Sequence, residues 1–173
     1  MGRMTLRNIL IHPDPRLKKV ATPVASINAD VRRLAEDMLE TMYDAPGIGL
    51  AAPQIGVIKR VLTLDVSKED EEKQPIAMIN PEISELSETK APYEEGCLSI
   101  PDYYETIERP DACKVSFLDI EGKPHTMNCT GLLATAVQHE VDHLDGKLFI
   151  DYLSRLKRER VQKKFAKMAK RAS

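Results

Sequence analysis

Two histidines four positions apart, in the segment His139-Glu140-Val141-Asp142-His143, are the residues of this chain best spaced to do chemistry together. On an α-helix that spacing puts both imidazoles on one face about one turn apart, so both can reach one divalent metal ion. Glu140 stands one step round, near enough to take a proton from water held by such an ion. A polar helix can also carry this short pattern on a solvated face. Here Leu133, Val137, Val141 and Leu144 form an apolar stripe, while Leu132 and Ala136 lie on the histidine side. A helix apolar on both sides is buried, and buried imidazoles need partners, which either a metal or ordinary hydrogen bonds can supply.

A third ligand is available upstream. Cys97 lies in Glu95-Gly96-Cys97-Leu98-Ser99, a loop-like stretch between Gly96 and Pro101. One thiolate with two neutral imidazoles suits a borderline-soft ion such as zinc or iron(II). Three protein ligands leave one coordination position open, which separates catalytic from structural sites. Cys113 and Cys129 fall in apolar strand patterns and read as packed thiols. With Cys97 they make three cysteines, an odd number and too few for a disulfide scaffold. His12, in a Pro-rich loop, and His125, in a hairpin, read as surface or hydrogen-bonded residues.

The elements that must position these groups are legible in outline. Ile9 to Val24, with Pro13, Pro15 and Pro23, is an irregular lead-in. Val31, Leu34, Met38 and Met42 recur at helical spacing, with Asn28 or Asp30 as cap and Ala45-Pro46-Gly47 as stop. A loop runs from Gly47 to Gly56, then Arg60 to Val66 reads as a strand. The charged run from Ser67 to Gln74 is a solvated loop. Ile76 to Asn80 and Glu82 to Leu86 are short strands, and Lys114 to Ile120 with His125 to Cys129 form a hairpin turning at Gly122. The metal helix spans about Leu132 to Leu144 and ends at Gly146. Tyr152 to Arg171 is a basic amphipathic helix. Strands and helices do not alternate as βαβ units, which predicts an α+β fold with mostly antiparallel sheets around a central metal-binding helix and a C-terminal helix.

Bulk properties narrow the classes further. The 173 residues fit one domain over 1–173, and 42% hydrophobic with 30% charged residues is an ordinary soluble composition. A net charge of −2 gives no reason to expect DNA as a partner, and no apolar run approaches a membrane span. The polar start lacks a signal-peptide stretch, and Gly2 is not followed by the Ser or Thr that N-terminal lipidation requires at position 6, which is Leu6. A cytoplasmic monomer is expected.

Three motifs now stand in order: Gly47-Ile48-Gly49-Leu50-Ala51-Ala52-Pro53-Gln54, Glu95-Gly96-Cys97-Leu98-Ser99, and Gln138-His139-Glu140-Val141-Asp142-His143. Together they closely resemble the peptide deformylases, bacterial enzymes that remove the formyl group from the N-terminal methionine of new proteins. The likeness covers nearly the whole chain, including Asp14-Pro15-Arg16-Leu17 and Leu148-Phe149-Ile150-Asp151-Tyr152, and the C-terminal helix resembles that of the bacterial type. The resemblance implies Cys97, His139 and His143 as ligands of one divalent ion, with iron(II) favoured and zinc or another transition metal also suited. It implies Glu140 as general base and acid, and the Gln54 amide and Leu98 N–H as donors to the formyl oxygen. Gly49 would admit the substrate backbone, and Ile48, Tyr93, Leu132 and Ala136 would line the methionine pocket. Glu95 and Arg109 would form a buried pair behind the cysteine segment. After Pro101 stand Asp102-Tyr103-Tyr104, where some family members carry a basic residue that touches substrate.

Two other classes are weighed. A zinc endopeptidase shares His-Glu-x-x-His but takes its third ligand downstream, where this chain offers no His and only Asp145, Asp151 and Glu159 among carboxylates near the helix. A non-enzymatic module docking on the ribosome through the basic C-terminal helix would have no use for an open three-ligand site.

Overall fold

The computed structural model describes residues 5–172; Gly2, on which part of the N-terminal reading falls, lies outside them. Helix α1 spans Ala29–Asp44, and the Asn28 side chain accepts from the Val31 N–H at 3.1 Å to cap it. Strands β1 (Gly49–Ala51), β2 (Val61–Leu64), β3 (Ile76–Ser84), β6 (Ala112–Leu118) and β7 (Pro124–Thr130) form one antiparallel sheet in the order β1-β2-β3-β6-β7. Strands β4 (Lys90–Cys97) and β5 (Ile100–Pro110) form a separate antiparallel pair. Helix α2 spans Gly131–Leu144 and helix α3 spans Arg155–Ala172. This is the expected α+β architecture.

The five-stranded sheet is covered on both faces, and the short strand β2 shows why. Every residue of Val-Leu-Thr-Leu is buried, as befits a strand with no wet side. Leu62 and Leu64 pack with Val137, Val141 and Leu144 of α2, while Val61 packs with Leu34, Met38 and Met42 of α1. Helix α2 is therefore central, with the sheet on one side and the β4–β5 pair on the other. A third cluster packs Val161 and Phe165 of α3 against Leu17, Ile100, Ile107 and Phe149.

Several expectations are corrected. Ile76 to Leu86 holds one strand rather than two: β3 continues through a bulge between Ile79 and Glu82, where Asn80 adopts φ +52 and clamps the Val24 backbone N–H and C=O at 2.8 and 3.0 Å. The supposed loop around Cys97 is the end of a strand. Pro92, Gly96 and Pro101 had obscured the alternation of a pair that is exposed on one side. The Gly47–Gly56 loop contains β1 and a 3-10 turn at Ala52–Ile55. Tyr152 precedes the last helix, closing a 3-10 turn at Phe149–Tyr152. His12 is the clearest departure: only 2% exposed, it sits edge-on to Phe165 with neither ring nitrogen paired. The Pro-rich segment around it is drawn inward because Leu10 N–H bonds Gln54 O at 2.7 Å and His12 N–H bonds Ser99 O at 2.8 Å. His125 does match expectation, half-exposed and 2.6 Å from Asp119. Cys113 and Cys129 are buried cross-strand neighbours, free thiols as expected.

Candidate metal centre and cavity

Helix α2 is buried from Ala134 to Val141 and again at His143 and Leu144, so its polar side chains have to be satisfied within the protein. His139 Nδ1 meets Glu95 Oε1 at 2.9 Å, and Arg109 donates to both oxygens of Glu95 at 2.7 and 3.0 Å. The predicted Glu95–Arg109 pair is therefore present, each residue about 5% exposed, and it also orients a histidine. His143 Nε2 lies 3.3 Å from Cys97 Sγ, while its Nδ1 has no partner. One donor atom each from Cys97, His139 and His143 fall within 4.8 Å of one another. The β4–β5 turn supplies the sulfur and α2 supplies both rings.

The electrostatics fit a cation at this point. Burial opposes charge on His139, yet the hydrogen bonds its ring donates to Cys97 and Glu95 push it up to about 10. Burial, with His139 and Arg109 adding to it, holds His143 well below the histidine range. The cluster thus favours one positive charge at His139, a proton that a bound divalent ion would displace and replace, and keeps His143 neutral, as a ligand must be. Sulfur and imidazole donors, a carboxylate behind His139, and an unpartnered buried Glu140 Oε2 together suit a divalent transition metal. Burial pushes the Glu140 carboxyl up to about 7, His139 and Arg109 acting against it.

A cavity of about 680 Å³ opens beside this cluster, and Glu140, His139, Cys97 and Gln54 line it. Ile48, Gly49, Tyr93, Leu132 and Ala136 line it too, as does Leu98. Ile48 and Leu132 are 44% and 41% exposed, so the apolar face at the start of α2 opens on this cavity instead of being covered by protein. Gly49 has a reason beyond room for a ligand: a Cβ there would stand 3.0 Å from the Glu140 carboxyl. Of the two tyrosines after Asp102, Tyr104 lines the cavity, while Tyr103 turns away to stack on Phe149 at 6.2 Å.

Gln54 is fixed from three sides. Its Oε1 accepts from Ala51 N–H at 2.9 Å, and its Nε2 donates to Ser99 Oγ at 3.1 Å and Cys97 Sγ at 3.4 Å. Ser99, fully buried, was not singled out from sequence; nothing local marks a contact 45 residues away. Asp142 and Tyr152 also escaped notice: Asp142 Oδ2 accepts from Arg109 and from the Tyr152 hydroxyl, both at 2.8 Å. The carboxylates a downstream third ligand would need are occupied elsewhere: Asp145 pairs with Arg60 at 3.1 Å, Asp151 accepts from Leu148 N–H at 2.9 Å and Glu159 pairs with Arg155 at 3.1 Å.

A buried helix with two imidazoles and an adjacent carboxylate, a thiol from a neighbouring strand turn and an open cavity define a metal-dependent hydrolase. The sequence pattern of the family described as Polypeptide deformylase matches residues 6–159, and this chain belongs to that family. The family uses a metal ion and removes N-formyl groups from nascent peptides. The chain is 62% identical to a peptide deformylase of Rhizobium meliloti over 96% of each sequence, and 58% identical to one of Afipia carboxidovorans over 98% and 99%. Among solved structures it resembles peptide deformylase from Ehrlichia chaffeensis in complex with actinonin, at TM-score 0.90 and 40% identity over 95% and 98% of the two chains. It also resembles a Met-Ala-Ser-bound enzyme from Acinetobacter baumannii, at TM-score 0.82 and 34% identity over 87% and 100%.

Proposed function

We propose that this chain removes the formyl group from formyl-methionyl N-termini of nascent chains, releasing formate, with residues 1–173 acting as one catalytic domain. The observation that carries the reading is the convergence of Cys97, His139 and His143 donor atoms beside the unpartnered Glu140 oxygen in a cavity. Cys97, His139 and His143 hold the ion, with iron(II) the favoured occupant and zinc or another transition metal accepted by the same donors. A divalent ion so held supplies Lewis acidity, bringing the pKa of water toward about 7 and drawing charge from the formyl oxygen.

The protein's own residues do the rest. Glu140 takes the proton of the attacking water and returns it to the departing amine; burial, which raises its carboxyl, lets it hold that proton between the two transfers. Gln54 Nε2 turns its longer hydrogen bond from Cys97 to the developing oxyanion, where the Leu98 N–H joins it. Glu95, held by Arg109, keeps the His139 ring in place. Gly49 keeps Glu140 free to move, and Ile48, Tyr93, Leu132 and Ala136 enclose the methionine side chain.

Formate release from a formyl-Met peptide, measured with and without chelator, tests the reading. Chelator-sensitive release supports it. Cleavage of internally blocked peptides without formate release would replace it with an endopeptidase. Elemental analysis of protein purified without oxygen identifies the ion.

The reading extends to a monomer in the cytoplasm with weak ribosome contact through α3, whose Arg160, Lys163, Lys164, Lys167 and Arg171 are exposed around Met168. Among the described residues, no helix is long and apolar enough to cross a membrane. Ribosome co-sedimentation that weakens with salt and with Lys163→Glu/Lys167→Glu supports the contact; equal sedimentation of both proteins refutes it.

A further inference from the structure

Behind the metal cluster, a chain of hydrogen bonds runs from an exposed tyrosine to one of the ligand histidines. The Tyr152 hydroxyl donates to Asp142 Oδ2 at 2.8 Å, and Arg109 Nη1 donates to the same oxygen at 2.8 Å. The other edge of the Arg109 guanidinium holds Glu95, whose Oε1 is shared with His139 Nδ1 at 2.9 Å. We propose that Tyr152 is a positioning residue for the metal site, acting on His139 through Asp142, Arg109 and Glu95. The inference rests on the metal-binding reading above and adds to it a control point outside the cavity.

Each link is geometrically committed. A guanidinium is a rigid planar fork, so fixing one edge fixes the direction of the other. Arg109 is 4% exposed and lies between two carboxylates, Glu95 on one edge and Asp142 on the other. Glu95 Oε1 takes hydrogen bonds from Arg109 and His139 at once, so any rotation of the guanidinium moves the atom that orients the imidazole. Of the two carboxylates that hold Arg109, Asp142 is the one water can reach more easily, with 16% of its side chain exposed against 5% for Glu95. Tyr152 holds that carboxylate on Arg109, and its ring lies over the guanidinium at 4.9 Å, screening the pair. Without the phenolic proton, water competes for Asp142 Oδ2, Arg109 gains freedom to turn, and Glu95 holds the His139 ring less firmly. Partners one step behind a metal ligand typically change metal affinity 10–100-fold when removed, by an order-of-magnitude rule. A residue further out should act more weakly.

The test uses the full chain loaded with zinc, with the rate of zinc release to a chromogenic chelator as the readout. Tyr152→Phe keeps the ring over Arg109 and alters a side chain that is half exposed, so the fold is preserved. Release from Y152F is expected to be roughly threefold to tenfold faster than from the unaltered chain. A Glu95→Gln background removes the carboxylate charge and the oxygen that accepts from Arg109 Nε, and so uncouples Arg109 from the last link. There Tyr152→Phe should add no more than about a twofold change, because residues acting through one another are not additive. Release from Y152F at the unaltered rate overturns the proposal. So does the same acceleration in both backgrounds, which is what a merely structural tyrosine gives. Either result leaves the metal site standing, whereas an unaltered chain that retains no zinc overturns the metal-binding reading and this proposal together.

Discussion

Glu140 and Gly49 illustrate how tightly single residues are bound to one another in this site. The Glu140 carboxyl is 4% exposed with one oxygen unpaired, and a Cβ on Gly49 would touch it at 3.0 Å. Glu140→Ala is expected to keep one metal per chain while turnover of a formyl-Met peptide falls by roughly 100–10,000-fold, the range of a lost general base. Elemental analysis beside formate release checks both halves, and substantial activity in the metal-loaded variant would remove Glu140 from the mechanism. Gly49→Ala should leave metal content unchanged and lower kcat, because the new methyl displaces the carboxyl it meets. Gln54→Ala should lower kcat by about 100–1,000-fold, the usual loss for one oxyanion donor. An unchanged kcat would mean that Gln54 serves only to brace Ser99 and Cys97.

Among the elements, α3 and the lead-in segment depend on one another through His12 and Phe165. Phe165 is 1% exposed, and its removal as Phe165→Ala should cost about 3–5 kcal/mol, the usual range for a buried aromatic. Chemical denaturation measures this directly. His12 adds a pH dependence. Burial holds its imidazole below the usual range, Lys18 adding to this and Asp151 opposing it. Below pH ~6.5 the unfolded chain therefore takes up a proton that the folded chain resists, so this stability is complete above ~6.5 and is lost as pH falls toward the folded value. His12→Leu, which has no proton to take up, should flatten the decline of Tm between pH 7 and 5. An identical decline in both proteins would place the dependence on other groups.

At the scale of the whole molecule, the metal cluster joins parts of the chain far apart in sequence: Cys97 lies 46 residues from His143 and Glu95 lies 44 from His139. A ligand that binds only the folded state adds stability, about 4 kcal/mol when present at a thousand times its Kd. Chelator should therefore lower Tm as well as abolish turnover, and added zinc should restore both. Calorimetry of the metal-loaded protein should show one cooperative transition, as expected of a single domain; two separated transitions would divide the chain.

The helices and the core strands were written locally, in the spacing of Val31, Leu34, Met38 and Met42 and in the apolar alternation of the β6–β7 hairpin. His139 and His143 were equally legible, because a helix turns four residues of separation into adjacency. Cys97 was legible as a candidate ligand by its chemistry and motif, but its place at the end of a strand was not, since Pro92, Gly96 and Pro101 break the period on which strand assignment depends. His12 was misjudged because polarity and nearby prolines speak only to local preference, whereas backbone hydrogen bonds to Gln54 and Ser99 decided its burial. Sequence by itself thus determined the family and singled out the candidate ligands and the proposed base, since these depend on residue identity and short-range periodicity. Only the tertiary structure decided that Gln54 braces Ser99, that Gly49 makes room for Glu140, and that Tyr152 reaches His139 through Arg109. These contacts bridge long stretches of chain, and no local rule of backbone geometry encodes them.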